Sequence, residues 1–177
     1  MSPPLDKLGW HASDTHDLTF DGVRVPVGNL LGEPGNGFRA FLQILDDGRI
    51  ALSALSLGMA RACLEIALDY AKQRNAFGGP IGRFQGLAFQ LSDLAVKVEN
   101  ATNLTYKAAW LKDQGRPFAR AAAMAKLYAS EAAVDSTRVA TQVLGGAGFM
   151  ESTPLARFYR DAKILEIGEG TSEIQRM

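Results

Sequence analysis

Between Phe38 and Leu144 the chain repeats apolar residues every three or four positions over three stretches, each far longer than a strand, so the fold must bury helices against helices. The first runs from about Phe38 to Arg74 and places Leu52, Leu55, Met59, Leu64 and Leu68 near helical spacing, with Gly48 and Gly58 as places where it could bend. The second, about Phe84 to Asp113, carries Leu87, Leu91, Leu94, Val98, Ala101, Leu104, Ala108 and Leu111. Gly115 suits its C-terminal cap, and Pro117 suits the first turn of the next helix. The third, about Phe118 to Leu144, is alanine-rich, which permits close helix contact, and it stops at Gly145 and Gly146. A short element is expected around Leu155 to Leu165. A last helix starts near Ser172, with Ser172 and Gln175 spaced for an S-x-x-Q capping box.

The first 36 residues have a different texture. "HDLTFDGVRVP" alternates in part, with Leu18, Phe20 and Val23 or Val25 as apolar members and Pro26 ending the strand, and "GNLLGEPGNGF" reads as a sharp loop. So small a β portion lacks a partner sheet, so it reads as the edge or remnant of a larger β domain. The expected fold is therefore mainly α, a helical bundle over residues 37–177 preceded by a short N-terminal β remnant over residues 1–36.

Bulk properties narrow the function. At 177 residues and 47% hydrophobic the chain can bury one ordinary core. Its 19 basic and 19 acidic residues cancel without any basic block, which argues against a nucleic-acid or anionic-membrane role. A single cysteine excludes an internal disulfide and a cysteine zinc cluster. No uninterrupted apolar run is long enough for a membrane span, and "MSPPLDKLGW" has no long apolar segment, so a cytoplasmic protein without membrane insertion is expected. A carboxylate-bridged di-metal centre would need Glu-x-x-His pairs on facing helices, but His11 and His16 both precede the helices and read as exposed polar residues. Cys63 lies in an apolar helical stretch with no histidine at catalytic spacing and reads as packing.

Three sites invite a chemical reading. In "KILEIGEGTSEIQRM", Glu169 stands between Gly168 and Gly170, either as an exposed turn carboxylate or as one held where a ligand can approach the backbone. The helix start beside it favours negative charge near Glu169 and Thr171. In "RNAFGGPIGRFQ", Arg74, Phe77 and Gln85 project from one corner. Phe77 could seal that corner with Arg74 solvated, or the three could clamp a cofactor, guanidinium to phosphate and ring to flat base. In "QVLGGAG", Gln142 with Gly145 and Gly146 is either a helix C-terminus or a second place of close ligand approach.

The stretches "ILDDGR", "AKQRNAFGGPIGRFQ" and "QVLGGAGFMESTPLARFYRDAKILEIGEGTSEIQR" resemble, in order and separation, the C-terminal half of the acyl-CoA dehydrogenase family, and "LGWHASDTHDLTFDGVRVPVGNLLG" resembles the end of that family's central β domain. The resemblance covers nearly the whole chain. It implies a flavoenzyme, usually a homotetramer, that uses FAD to remove hydrogens from the α and β carbons of an acyl-CoA thioester in fatty acid metabolism. It also implies electron-transfer flavoprotein as electron acceptor and assembly as a dimer or tetramer.

Residue by residue, the resemblance implies Glu169 as catalytic base and Gly170 as the position whose backbone meets the thioester. Thr171 and Glu173 match residues touching the FAD of their own subunit. Arg74, Phe77, Gln85, Gln142, Gly145 and Gly146 match those reaching a neighbouring subunit's FAD. Asp46 and Arg49 match positions that hold the CoA portion. Some branched-chain members place the base just before that arginine, where this chain has Gly48, which leaves Glu169. Gly168 stands where many members have tyrosine, and His11 replaces a common arginine. Family chains are roughly twice this length, so the resemblance implies a C-terminal half that is inactive alone. The alternative is a non-catalytic helical module serving oligomerisation or partner binding. A related flavoenzyme acting on something other than a thioester is a third reading, and Asp46 and Arg49 speak against it.

Overall fold

The computed structural model describes residues 1–177. Three long helices carry it: α1 (Gly37–Gln73), α2 (Gln85–Asp113) and α3 (Ala119–Leu144). Between α1 and α2 lies a minimal hairpin, β1 (Asn75–Ala76) antiparallel to β2 (Gly79–Pro80). After α3 come short helices α4 (Gly146–Phe149), α5 (Pro154–Ala162) and α6 (Ser172–Arg176), with a 3-10 turn at Lys163–Glu166 between the last two.

The structure is mainly helical with one small β pairing, as expected, but that pairing is the α1–α2 hairpin. Residues 10–25 form no strand, and Leu18, Phe20, Val23 and Val25 are all more than 60% exposed. An alternating segment can bury one face only against a sheet, and no sheet is within reach. The segment is tied down elsewhere: the Trp10 N–H donates to Asp161 Oδ1 at 2.6 Å, and the Trp10 ring packs on the core near Leu57.

Packing centres on α3, which touches α1, α2, α5 and α6. Its buried residues are nearly all small, including Ala122, Ala125, Ala129, Ala133 and Ala140. On α1 the buried stripe is also finer than the leucine pattern suggested: Ser53, Ser56, Leu57, Ala60, Cys63, Ala67 and Ala71 are buried, while Leu52, Met59, Leu64 and Leu68 flank them and Leu55 is exposed. Small residues at the contact let the two backbones approach, and the larger side chains then cover the edges. The buried hydroxyls stay satisfied within their own helix: Ser53 donates to the Arg49 carbonyl at 2.6 Å and Ser56 to that of Leu52 at 2.7 Å. Burial pushes the Cys63 thiol up to about 12, so it remains a protonated packing group. Along α2, Leu91, Leu94, Val98, Ala101 and Ala108 are buried as the periodicity predicts.

By length and composition α1 could cross a membrane, with a mean hydropathy of 1.5 over 18 residues. Here about a third of that window is buried against the other helices.

Helix ends follow local chemistry. Gly115, at φ 63°, completes a double closure of α2, with its N–H on the Lys112 carbonyl and the Arg116 N–H on that of Leu111. Pro117 lies just ahead of α3, whose N-cap is Phe118, and not within its first turn.

Adding bulk to the α1–α3 contact should test this packing. Ala133→Leu is expected to lose about 1–3 kcal/mol in urea unfolding, because the surrounding backbones leave no room for the added methyl groups.

Candidate functional site

The 3-10 turn after α5 closes with the Gly168 N–H on the Ile164 carbonyl at 2.8 Å, and the chain then turns sharply. Glu169 and Gly170 take left-handed conformations in succession, at φ 56° and 94°. For a glutamate this is strained, and it persists only where the surroundings hold it. Thr171 caps α6, its hydroxyl accepting from the Ile174 N–H at 3.4 Å. The expected capping box is thus displaced by one residue: Ser172 is the first residue of the helix and its buried hydroxyl has no partner. Gln175 does not reach back to a cap N–H. Its Nε2 donates to the carbonyls of Glu169 and Gly170, both at 3.0 Å. The Gln175 Oε1 is left buried without a partner, so the turn's need for donors outweighs an unsatisfied acceptor.

Two further helices supply donors. From α3, the fully buried Lys126 donates to the Gly170 carbonyl at 2.6 Å. From α1, Arg49 Nε lies 3.5 Å from the Glu169 carbonyl, and its guanidinium is paired with Asp46 at 2.8 Å. Asp46, Arg49, Glu169 and Gly170 therefore form one group. The half-buried Glu169 carboxylate lies against Gly48, where a Cβ would fall 2.6 Å from its Oε2. Only a glycine leaves the carboxylate in place. The backbone N–H groups of Glu169, Gly170 and Thr171 donate to no backbone carbonyl. A partly exposed carboxylate thus stands beside donors open to a ligand oxygen.

Burial lowers the pKa of Lys126; Glu166, Glu169 and Glu131 oppose this, while Arg49 adds to it. Glu173, exposed at the start of α6, is held below the usual carboxylate range by its own backbone N–H and the Thr171 hydroxyl.

The other cluster lies at the far end of α1, about 36 Å from Arg49 at the helical rise of roughly 1.5 Å per residue. Phe77 and Gly78 form the two-residue turn of the hairpin, both at positive φ, 52° and 86°. Arg83 donates to both of their carbonyls, holding the turn shut. Phe77 is 90% exposed, touching only the edge of Phe84 at 6.2 Å between ring centres, so it does not seal the corner. Arg74, at the end of α1, is exposed and, together with Tyr70, Ile81, Gly145 and Gly146, lines a cleft of about 480 Å³. The structure thus brings Arg74 to the Gly145–Gly146 backbone, with Gln85 and Gln142 exposed at the starts and ends of the neighbouring helices. A guanidinium and an open glycine backbone around one cleft, with an exposed aromatic ring on the adjoining hairpin, fit an anionic ligand carrying a flat ring system.

Lys126 and the tethering role of Gln175 are what residue patterns left out. The signal for Lys126 was present: a lysine on the same face as Ala122, Ala125, Ala129 and Ala133 interrupts an otherwise apolar stripe. His11 is exposed and bonds the Lys7 carbonyl at 2.9 Å, and no group of histidines, cysteines and carboxylates is placed to hold a metal.

Residues 35–177 match the family described as acyl-CoA dehydrogenase, C-terminal domain. The mitochondrial short-chain specific acyl-CoA dehydrogenase of mouse is 52% identical over 97% of this chain and 42% of its own length. The structure of butyryl-CoA dehydrogenase from Megasphaera elsdenii superposes with a TM-score of 0.96 at 47% identity, covering 99% of this chain and 46% of that one. That of glutaryl-coenzyme A dehydrogenase in complex with glutaryl-CoA gives 0.95 at 42% identity, covering all of this chain and 45% of that one. The chain spans less than half the length of these relatives. The expectation of a cytoplasmic protein is overturned, since the mouse relative and its cattle, rat, pig and human counterparts are mitochondrial. Balanced charge and the lack of an apolar run bear on solubility and carry no information about compartment.

Backbone strain at the turn can be measured directly. Glu169→Gly should stabilise the chain by about 1 kcal/mol in urea unfolding by removing a left-handed glutamate. Gly170→Ala should destabilise it by about 1–3 kcal/mol, since its Cβ would also lie 2.8 Å from Gln175 Nε2.

Proposed function

Because the chain belongs to the acyl-CoA dehydrogenase family, we propose that it supplies the catalytic base and part of the FAD and CoA sites of an enzyme that desaturates an acyl-CoA thioester between its α and β carbons. The observation that carries this reading is the Glu169 turn: a strained, half-buried carboxylate seated on Gly48 beside N–H groups that have no backbone acceptor. Strain of this kind concentrates where geometry serves chemistry.

Glu169 takes the proton from the α carbon. That proton is weakly acidic, so the base must be held close and the charge developing on the thioester oxygen must meet fixed donors. The Gly170 N–H is the donor in this reading. Arg49, paired with Asp46 on α1, faces the same group and supplies positive charge for the CoA portion. When bound, FAD would supply the redox capacity for removal of the β hydrogen as hydride. Thr171 and Glu173 would hold the FAD of their own subunit. Arg74, Phe77, Gln85, Gln142, Gly145 and Gly146 would hold that of a neighbouring subunit. The separation of the two clusters along α1 supports this division, because one chain presents two half-sites that face different ligand molecules.

The reading extends to assembly. Residues 1–36 are the end of the central β domain, and their exposed Val27 and Leu31, with Phe38 and Ile44 of α1, face the rest of that protein. Phe89, Val96 and Trp110 on α2 leave apolar surface for a homo-oligomer. Alone, residues 1–177 are inactive. Electron-transfer flavoprotein is the acceptor.

The test is stopped-flow bleaching of flavin absorbance by acyl-CoA in the full-length enzyme that contains this chain, at matched FAD occupancy. Glu169→Gln should slow flavin reduction on the order of 10²- to 10⁴-fold with little change in FAD content. Arg74→Ala should instead weaken FAD retention and leave the reduction rate of fully loaded enzyme near parental. Reduction at the parental rate by Glu169→Gln would remove Glu169 as the base.

A further inference from the structure

We propose that Lys126 is the positioning residue of the Glu169–Gly170 turn, acting through the carbonyl of Gly170 to fix where the Glu169 carboxylate and the adjoining N–H groups point. The inference rests on the reading of Glu169 as the base, and it begins from an ammonium that packing does not require. Lys126 is fully buried on α3 with Ala122, Ala125 and Ala129 on the same face, where a methionine or leucine would fill the space without desolvating a charge. Its one hydrogen bond goes to Gly170 O and is short, at 2.6 Å.

Around it stand the groups that set its charge. Glu131 is on its own helix, Arg49 on α1, Glu166 on the 3-10 turn and Glu169 on the turn itself. Burial is the largest influence and opposes the charge, and three carboxylates against one guanidinium offset part of it.

The geometry of the peptide unit gives the bond its consequence. In a planar trans peptide the C=O and the following N–H point in opposite directions. Holding the Gly170 carbonyl toward α3 therefore aims the Thr171 N–H away from it. Gln175 and Arg49 do the same for the Glu169 carbonyl and the Gly170 N–H. Two consecutive left-handed residues need such over-determination, and Lys126 is the donor that comes from the rigid centre of the bundle. Gln175 belongs to the five-residue α6, which depends on the turn for its own position.

The experiment is residue-resolved hydrogen exchange on the full 177-residue chain. Its reporters are the amides of Ile174 and Gln175, which close onto Thr171, compared with amides in the middle of α1 and α3. Lys126→Met keeps length and volume but removes the charge and the donor, and Lys126→Arg restores both. Lys126→Met should speed exchange at Ile174 and Gln175 by about tenfold or more while the α1 and α3 amides stay within about threefold. Lys126→Arg should recover the slow exchange. If Lys126→Met does not fold by circular dichroism, Lys126→Leu carries the same comparison. Unchanged exchange at Ile174 and Gln175 overturns the proposal, and so does a uniform rise across α1 and α3, which would make Lys126 a packing residue only.

In the full-length FAD-loaded enzyme, Lys126→Met should lower the flavin reduction rate with a smaller change in half-saturating acyl-CoA, and Lys126→Arg should restore it. A parental rate with Lys126→Met overturns the positioning role. If Glu169→Gln keeps the parental rate while Lys126→Met still loosens Ile174 and Gln175, the base assignment falls and the anchoring of the turn stands. If Glu169→Gln loses the rate and Lys126→Met changes neither exchange nor rate, the base assignment stands and Lys126 falls.

Discussion

Close contact between α1 and α3 is the constraint on which the rest of the molecule depends. Ala129 and Ala133 of α3 share a core cluster with Ala60 of α1, and Ala140 shares one with Ala67, so these contacts carry no bulk that would force the axes apart. That closeness brings Lys126 within reach of a turn that starts beyond α5, and it sets Gly48 under the Glu169 carboxylate. If the helices stood further apart, both contacts would open together. The same small residues that give the seam little apolar area per residue thus give the turn its precision.

Backbone strain falls at few places. Three residues other than glycine have positive φ: Trp10, Phe77 and Glu169. Trp10 is offset by its bond to Asp161 and by burial of its ring, which accounts for it structurally. Phe77 closes the two-residue hairpin turn that Arg83 holds shut, while its ring stands in solvent. Glu169 and Gly170 together are held by donors from three helices, while the Glu169 side chain is only half-buried. Of the three, Glu169 is the one whose strain neither core burial nor a hairpin turn accounts for.

Much of this was legible in residue order. The three helices, their ends within a residue or so, and the buried positions of α2 follow from periodicity and from Gly115. The grouping of Glu169 with Asp46 and Arg49, and of Arg74 with Gly145 and Gly146, agrees with the motifs that suggested them. What periodicity missed has physical causes. On α1 the leucines marked the flanks and not the contact, because hydrophobicity measures transfer from water while close approach selects for smallness. The alternation in residues 18–25 carried the signature of a strand, but a strand needs a neighbour to exist. Ser172 and Thr171 are equally suited to cap a helix, and the left-handed turn, invisible in a residue pattern, decided for Thr171. Lys126 was hidden because a lysine in an alanine-rich helix reads as a solvated residue until its face is known.

The single uninterrupted span of α1 sets a further condition on how chains of this kind can vary. With one cluster at Arg49 and the other at Arg74, the helix acts as both ruler and torsion bar between them. Inserting one residue would lengthen it by only about 1.5 Å but would swing one cluster around the axis relative to the other by about 100°. An insertion of seven residues would restore the facing to within about 20°, yet it would add about 10 Å of length. Substitutions along the exposed face of α1 are therefore open to drift, whereas its residue count between the two clusters is not. Insertions and deletions should accumulate before Gly37 or around Gln114–Pro117, where the chain leaves its helices and no phase is carried across.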